Sequence, residues 1–182
     1  MSVFTNPASG AADQGAAYTR AVLDLVEGRD PFEVLRSTAD ELRDGIAGMS
    51  DSETATPEAH GKWSVRQLLR HLADTEIVWA WRMRLALTQD RPPLTGFDQD
   101  AWAERLRYDL DDVGESLADF ALLRGGNLRI LDRTTPDDLK RVAVHVERGD
   151  ESVEHMINMY AGHDLLHLRQ LARIRAAVAG RG

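Results

Sequence analysis

Two histidines four residues apart, His163 and His167, occur in the run His163-Asp164-Leu165-Leu166-His167. On a helix that spacing stacks both imidazoles on one face. Met156, Tyr160, His163, His167, Leu171, Ile174 and Val178 advance by threes and fours, so the pair sits in the middle of a stripe that faces a core. A polar ring buried there needs a partner, since an unpaired one costs about 1–3 kcal/mol. A divalent ion held by neutral imidazole nitrogens is one solution; hydrogen bonds to a carbonyl or carboxylate are the other. His71 lies beside Leu68, Leu72, Thr75 and Val78, at the border of a second apolar face. In an antiparallel bundle it can meet the pair at matching depth, and three histidines would leave coordination positions for water or substrate. Asp74, one turn beyond His71, is a candidate orienting group, catalytic carboxylate or fourth ligand, against the plainer reading of a surface carboxylate. Tyr160, one turn before His163, is a candidate hydrogen-bond donor to a reacting group, against simple core packing.

The other histidines read as ordinary polar residues. His155 precedes His163 by about 12 Å of helix axis, too far to share an ion. His60 and His145 fall in loops without partners. His-Asp-x-x-His differs by one methylene from the zinc-protease motif, but no His, Asp or Glu follows His167 to complete such a site, and a protease is disfavoured.

The chain has 182 residues with 43% apolar and 29% charged residues, the mixture of a soluble globular domain. Its net charge of −8 opposes nucleic-acid binding, which needs a basic face. The absence of cysteine excludes disulfides, thiolate nucleophiles and sulfur-ligated metals, leaving His, Asp, Glu or backbone oxygen as ligands. The longest apolar run, Ile77 to Trp81, ends at Arg82, well short of the roughly 20 residues that span a bilayer. Met1 to Gly15 has neither the basic flank nor the apolar centre of a signal peptide. A cytoplasmic protein is expected, with a flexible tail over 1–15 and a single domain over 16–182.

Elements able to position the histidines are helical. A short amphipathic piece covers Tyr18 to Glu27 and stops at Gly28. Asp30-Pro31 starts a helix to about Ala47, with Asp as N-cap and Pro in the first turn. Met49 to Gly61 reads as a loop. Ser64 and Gln67 form a capping box that opens a helix to about Thr88. Its apolar residues lie on more than one face, placing it at the centre of a bundle or partly under a second subunit. Arg91 to Phe97 is non-helical, and a short helix follows near Trp102. A third long helix spans Asp112 to Leu131, weakened by Gly125-Gly126. Val142, Val144 and Val146 alternate as a short extended segment, and the final helix runs from Asp150–Ser152 to about Ala179. Trp79, Trp81, Phe97 and Trp102 are candidate pocket walls. The expectation is an all-α protein, an antiparallel four-helix bundle.

Gly61-Lys62-Trp63-Ser64-Val65-Arg66, His71-Leu72-Ala73-Asp74-Thr75-Glu76, Arg82, Leu94 to Asp100 and Ala161 to Leu171 occur in the order found in one family. Together with Val26 to Pro31 they make the chain, from about Tyr18 to Ala177, resemble the DinB/YfiT-like superfamily of small bacterial four-helix bundles. The resemblance implies a divalent metal on three histidines, which map to His71, His163 and His167. It implies a homodimer, and a small-molecule substrate. Some relatives use low-molecular-weight thiols as transferases or isomerases; others are described as metal-dependent hydrolases. Relatives often carry two adjacent histidines at the end of the last motif, whereas here Leu166 precedes His167. The implied activity is therefore activation of an external thiol or water for attack on a small electrophile. A non-catalytic, stress-related metal- or ligand-binding protein is the alternative. Three imidazoles suit zinc, nickel and iron alike.

Overall fold

The computed structural model describes residues 12–179. In chain order the elements are α1 (Ala12–Val26), α2 (Pro31–Ile46), α3 (Asp51–Ala55), α4 (Val65–Thr88), β1 (Pro93–Leu94) and α5 (Gln99–Arg105). A 3₁₀ turn at Tyr108–Leu110 follows, then α6 (Val113–Leu131), α7 (Pro136–Leu139), β2 (Val142–His145), β3 (Gly149–Ser152) and α8 (Val153–Ala179). Residues 1–11 of the expected tail lie outside the described residues, while 12–15 already belong to α1, which starts well ahead of Tyr18.

Side-chain caps start three of the long helices where the sequence places them. Asp30 accepts from the Phe32 N–H, Ser64 and Gln67 close a capping box, and Asp112 accepts from the Gly114 and Glu115 N–H groups. Two expectations change. The segment 49–61 is not wholly a loop, because Ser50 and Glu53 form a second capping box that supports α3. Residues 150–152 do not begin the last helix; they pair as β3, and α8 starts at Val153. Gly125 and Gly126 do not interrupt α6, because Arg124 and Asn127 on either side are anchored to Glu76 of α4.

The four long helices α2, α4, α6 and α8 form the expected bundle, and α1 packs on α8. Gly162 makes that approach possible: a Cβ there would lie 2.2 Å from the Val22 carbonyl oxygen. Paired residues give the directions. His71 faces His163 and Trp79 stacks on Tyr160, so α4 and α8 are antiparallel. Thr38 bonds Asp164 while the Gly45 carbonyl accepts from Arg175, so α2 and α8 run parallel. Arg70–Asp119 and Glu76–Arg124 show that α4 and α6 do too. Antiparallel order therefore holds between the histidine-bearing helices but not between every neighbouring pair, because the 89–112 connection carries the chain back along the bundle.

One apolar cluster joins Leu42, Leu68, Leu72, Phe120 and Leu171 at one end; another joins Leu35, Trp79, Met83, Met156 and Tyr160 at the other. Each such fully buried side chain contributes about 1.5–3 kcal/mol. Trp79 turns inward, while Trp81, two residues on and so on the opposite side of α4, is 64% exposed. A small sheet supplements the helices, in the order β1-β2-β3. β1 is parallel to β2, with Leu94 opposite His145, and β2 is antiparallel to β3. No helix among the described residues is long and apolar enough to cross a membrane.

Candidate metal centre

Between the two apolar clusters, α4 presents His71 and α8 presents His163 and His167, all three buried. Their Nε2 atoms converge: His163 Nε2 lies 3.2 Å from that of His71 and 3.1 Å from that of His167. Trp63 packs on the His71 ring at 4.8 Å between centroids. The Gln170 side-chain oxygen lies 2.9 Å from His167 Nδ1 and accepts its proton. That bond leaves His167 Nε2 as a lone pair aimed at its neighbours. Burial pushes all three rings well below the ordinary imidazole range, His163 to about 3, so each is neutral near pH 7.

The donor set fits a divalent ion. Metal–nitrogen bonds of about 2.0–2.1 Å set neighbouring ligand atoms about 2.9 Å apart in an octahedron and about 3.3 Å apart in a tetrahedron. The separations of His163 Nε2 from His71 and from His167 fall between these. Hydrogen bonding alone does not satisfy the group. His163 Nε2, as a donor, can serve one neighbour and not both, and as an acceptor it puts a proton on Nδ1, which is buried with no hydrogen-bond partner among the described residues. The group is a three-histidine cluster whose ligand atoms all lie within 4.8 Å of one another.

The triad forms one wall of a cavity of about 90 Å³. Thr75, Trp79, Phe97, Met159 and Leu166 also line it, as do Tyr18, Arg82, Glu147 and Arg148. Of the four aromatic wall candidates, Trp79 and Phe97 reach the cavity, Trp102 packs behind Phe97, and Trp81 faces outward. Leu166 supplies apolar wall. Thr75 donates to the His71 carbonyl at 2.7 Å, which turns its lone pairs toward the cavity.

The structure turns Asp74 and Tyr160 to other partners. Asp74 accepts from the Tyr108 hydroxyl at 2.6 Å and from Arg70, on the α6 side of α4. The Tyr160 hydroxyl accepts from Arg124 at 3.2 Å inside the core. Arg124 is the centre of a buried network: its guanidinium also donates to Glu76 and Asp164, each at 2.7 Å, and to the Leu35 carbonyl. Asp164, flanked by the candidate ligands, also accepts from Thr38. His145, expected in a loop, is buried on β2, with its Nδ1 accepting from the Glu147 N–H. His155 stands 4.0 Å from Glu151, on the outside of α8. Reasoning from sequence overlooked Gln170, although its spacing of three from His167 is a legible helical contact. It also passed over Arg124 and Glu147, which no local pattern marks.

Comparison with known proteins points the same way. A family model described as the DinB superfamily matches residues 34–171. The Bacillus subtilis protein named "Putative metal-dependent hydrolase YfiT" is 30% identical over 146 residues, covering 78% of this chain and 82% of its own length. An Oceanobacillus iheyensis protein, "Putative metal-dependent hydrolase OB0782", is 29% identical over 133 residues, covering 73% of this chain and 77% of its own. Among solved structures, one reported as "YfiT from Bacillus subtilis is a probable metal-dependent hydrolase with an unusual four-helix bundle topology" matches with a TM-score of 0.76. Its sequence identity is 28%, over 80% of this chain and 84% of that one.

Proposed function

The chain belongs to the DinB superfamily, and from that premise we propose that it is a metal-dependent enzyme acting on a small electrophile, by hydrolysis or by transfer of an external thiol. His71, His163 and His167 would hold one divalent ion through their Nε2 atoms. Such an ion supplies Lewis acidity and lowers the pKa of a water or thiol ligand by several units.

The chain's own residues supply the rest. Gln170 fixes the His167 tautomer, and Trp63 restricts the His71 ring. Val78, Trp79, Phe97, Met159 and Leu166 give the space beside the triad an apolar lining, which strengthens electrostatic interactions once a ligand displaces water there. The Tyr18 phenol, pushed up to about 12 by burial, stays protonated at the cavity wall. Glu147 brings a carboxylate to the cavity. The chain has no cysteine, so a thiol nucleophile has to be an external molecule.

The observation that carries the reading is the triad's position on a cavity wall. A structural ion would be enclosed by protein ligands, whereas three histidines opening onto a cavity leave room for exchangeable ones. Metal analysis of protein purified without chelator should find one divalent ion per chain, lost in His71→Ala and His163→Ala. Azide or a small thiol should change the visible spectrum of the cobalt-substituted protein. An unchanged spectrum at saturating ligand would overturn the open site, and full metal retention in a folded His163→Ala variant would remove that ligand.

A further inference from the structure

Two arginines among the described residues are buried, and they differ in one respect. Arg124 is neutralised by Glu76 and Asp164. Arg82, 7% exposed, has no carboxylate within ion-pairing distance among the described residues, and its one protein hydrogen bond goes to the Thr95 carbonyl oxygen. Of the half-buried arginines, Arg148 is paired to Glu151 and Arg70 to Asp74 and Asp119, while Arg141 donates to the Ala86 and Gln89 carbonyls at the bundle's edge, away from the cavity. A guanidinium has five N–H donors, and burying it without a counter-charge is costly. Arg82 lines the same cavity as the histidine triad, with its charge centre 6.0 Å from the centre of the Trp79 ring.

We propose that Arg82 is an anion-recognition residue and that the ligand of this cavity is a small carboxylate, its acid group on the Arg82 guanidinium and its reactive end toward the histidines. The proposal rests on the metal-centre reading only for which end of the ligand reacts. His71 and Arg82 are eleven positions apart on α4 and so lie on nearly the same face, about 16 Å apart along the axis. Both side chains reach the same cavity, so a ligand spanning it can touch each with one end. The cavity volume of about 90 Å³ admits such a molecule in place of about six waters. One planar guanidinium matches a carboxylate through two parallel hydrogen bonds. A phosphate dianion would call for more positive charge, and the second arginine at this cavity, Arg148, is committed to Glu151. Glu151 and Glu147 lie near enough to raise the Arg82 pKa but form no ion pair with it among the described residues; Glu151 is taken by Arg148, and the exposed Glu147 carboxylate borders the anion position. Burial lowers the Arg82 pKa to about 10, which leaves the guanidinium charged near pH 7.

The test uses ω-mercapto acids of three to eight carbons and the matching ω-mercapto alcohols, titrated into cobalt-substituted protein and read by thiolate-to-cobalt absorption. One chain length should bind about 10- to 100-fold more tightly as the acid than as the alcohol, the worth of one charge-assisted pair. Arg82→Gln should abolish that preference and Arg82→Lys should retain part of it, with metal content unchanged in both. Equal affinity of acid and alcohol in the wild type at every length overturns the proposal, whatever the variants do. So does a preference that survives Arg82→Gln. Tighter binding of ω-mercapto phosphonates than of the acids would reassign the site to a phosphate group. A second titration, of plain alkanoates against alkanols into chelator-treated protein, follows fluorescence of Trp63 and Trp79 in the cavity wall. Where the protein takes up no cobalt and the first titration gives no signal, an Arg82-dependent acid preference here supports the anion site and its absence overturns it.

Discussion

Replacing Arg124 with methionine isolates the electrostatics of the buried network, since methionine can keep much of the packing against Phe120 and Tyr160, whose ring centres each lie 4.6 Å from the guanidinium. The variant loses donors to Glu76, Asp164, Tyr160 and the Leu35 carbonyl, and leaves two carboxylates that are about 1% exposed without their cation. Breaking a buried ion pair by removing one partner costs about 3–5 kcal/mol, a fifth or more of the stability of a typical domain, about 5–15 kcal/mol. The pH dependence is specific. Burial already raises the Glu76 pKa, and Arg124 is the main influence opposing that rise. Without Arg124 the folded-state pKa climbs further above the unfolded value. A carboxyl raised on folding binds more protons in the native state, so its contribution to stability falls as pH rises through that window. Urea denaturation should therefore show a deficit of about 3–5 kcal/mol at pH 7.5 that narrows at pH 5. Adding Glu76→Gln to the Arg124→Met variant should recover part of the loss at pH 7.5. A deficit under about 1 kcal/mol, equal at both pH values, would refute the account of Arg124 as the neutralising centre.

Gly162→Ala should lower the melting temperature, since the new Cβ would sit 2.2 Å from the Val22 carbonyl oxygen and force α1 off α8. Overpacking costs about 1–3 kcal/mol, more than the helix-propensity gain of about 1 kcal/mol, and a melting temperature at or above wild type would contradict that. His145 is held at about 4 by burial and by Arg148 and Arg82, below an ordinary value of 6.5. The unfolded chain therefore binds more protons between those pH values, and stability should be lost as pH falls from 6.5 toward 4, by no more than about 3 kcal/mol. His145→Gln should flatten that limb of the denaturation profile, and an unchanged slope would count against it. Gly96→Ala should leave metal content and melting temperature near wild type while altering probe binding in the cavity. Its Cβ would meet Glu147 Oε1 at 2.8 Å, the movable end of a flexible side chain. Wild-type affinity for every probe would show that this carboxylate does not influence the ligand.

The parts of the fold and site that were legible in the sequence were those governed by short-range periodicity. Four-residue spacing within an apolar stripe places His163 and His167 together, and the Ser64 capping box sets the register that turns His71 inward. The same arithmetic limits what a turn's distance can say. On a helix a three-residue step rotates about 60° to one side and a four-residue step about 40° to the other. Asp74, three after His71, is carried toward Tyr108, and Tyr160, three before His163, toward Arg124. Thr75, four after His71, stays on the cavity. The alternation at Val142, Val144 and Val146 marks β2, but the sheet's pairing was out of reach because β1 has two residues and joins a strand far along the chain. The parallel run of α4 and α6 was equally hidden, since nothing in a helix's own sequence states which way its neighbour points.

That hidden topology explains how the site acquires two dissimilar walls. Parallel neighbours cannot be joined by a short turn, so the chain between α4 and α6 has to travel back along the bundle. On its way it adds β1 to β2 and carries Gly96 and Phe97 to the cavity, while the β2–β3 turn brings Glu147 and Arg148. The histidines stand on long helices stapled through Arg124, so their geometry is set by the core. The facing wall stands on connections whose side chains can change at far smaller cost to stability. Metal affinity and ligand choice are therefore separable in this molecule. A substitution at Gly96 should move the second without the first, and one at Gln170, which holds the His167 tautomer, should move the first without altering the facing wall of Phe97 and Glu147.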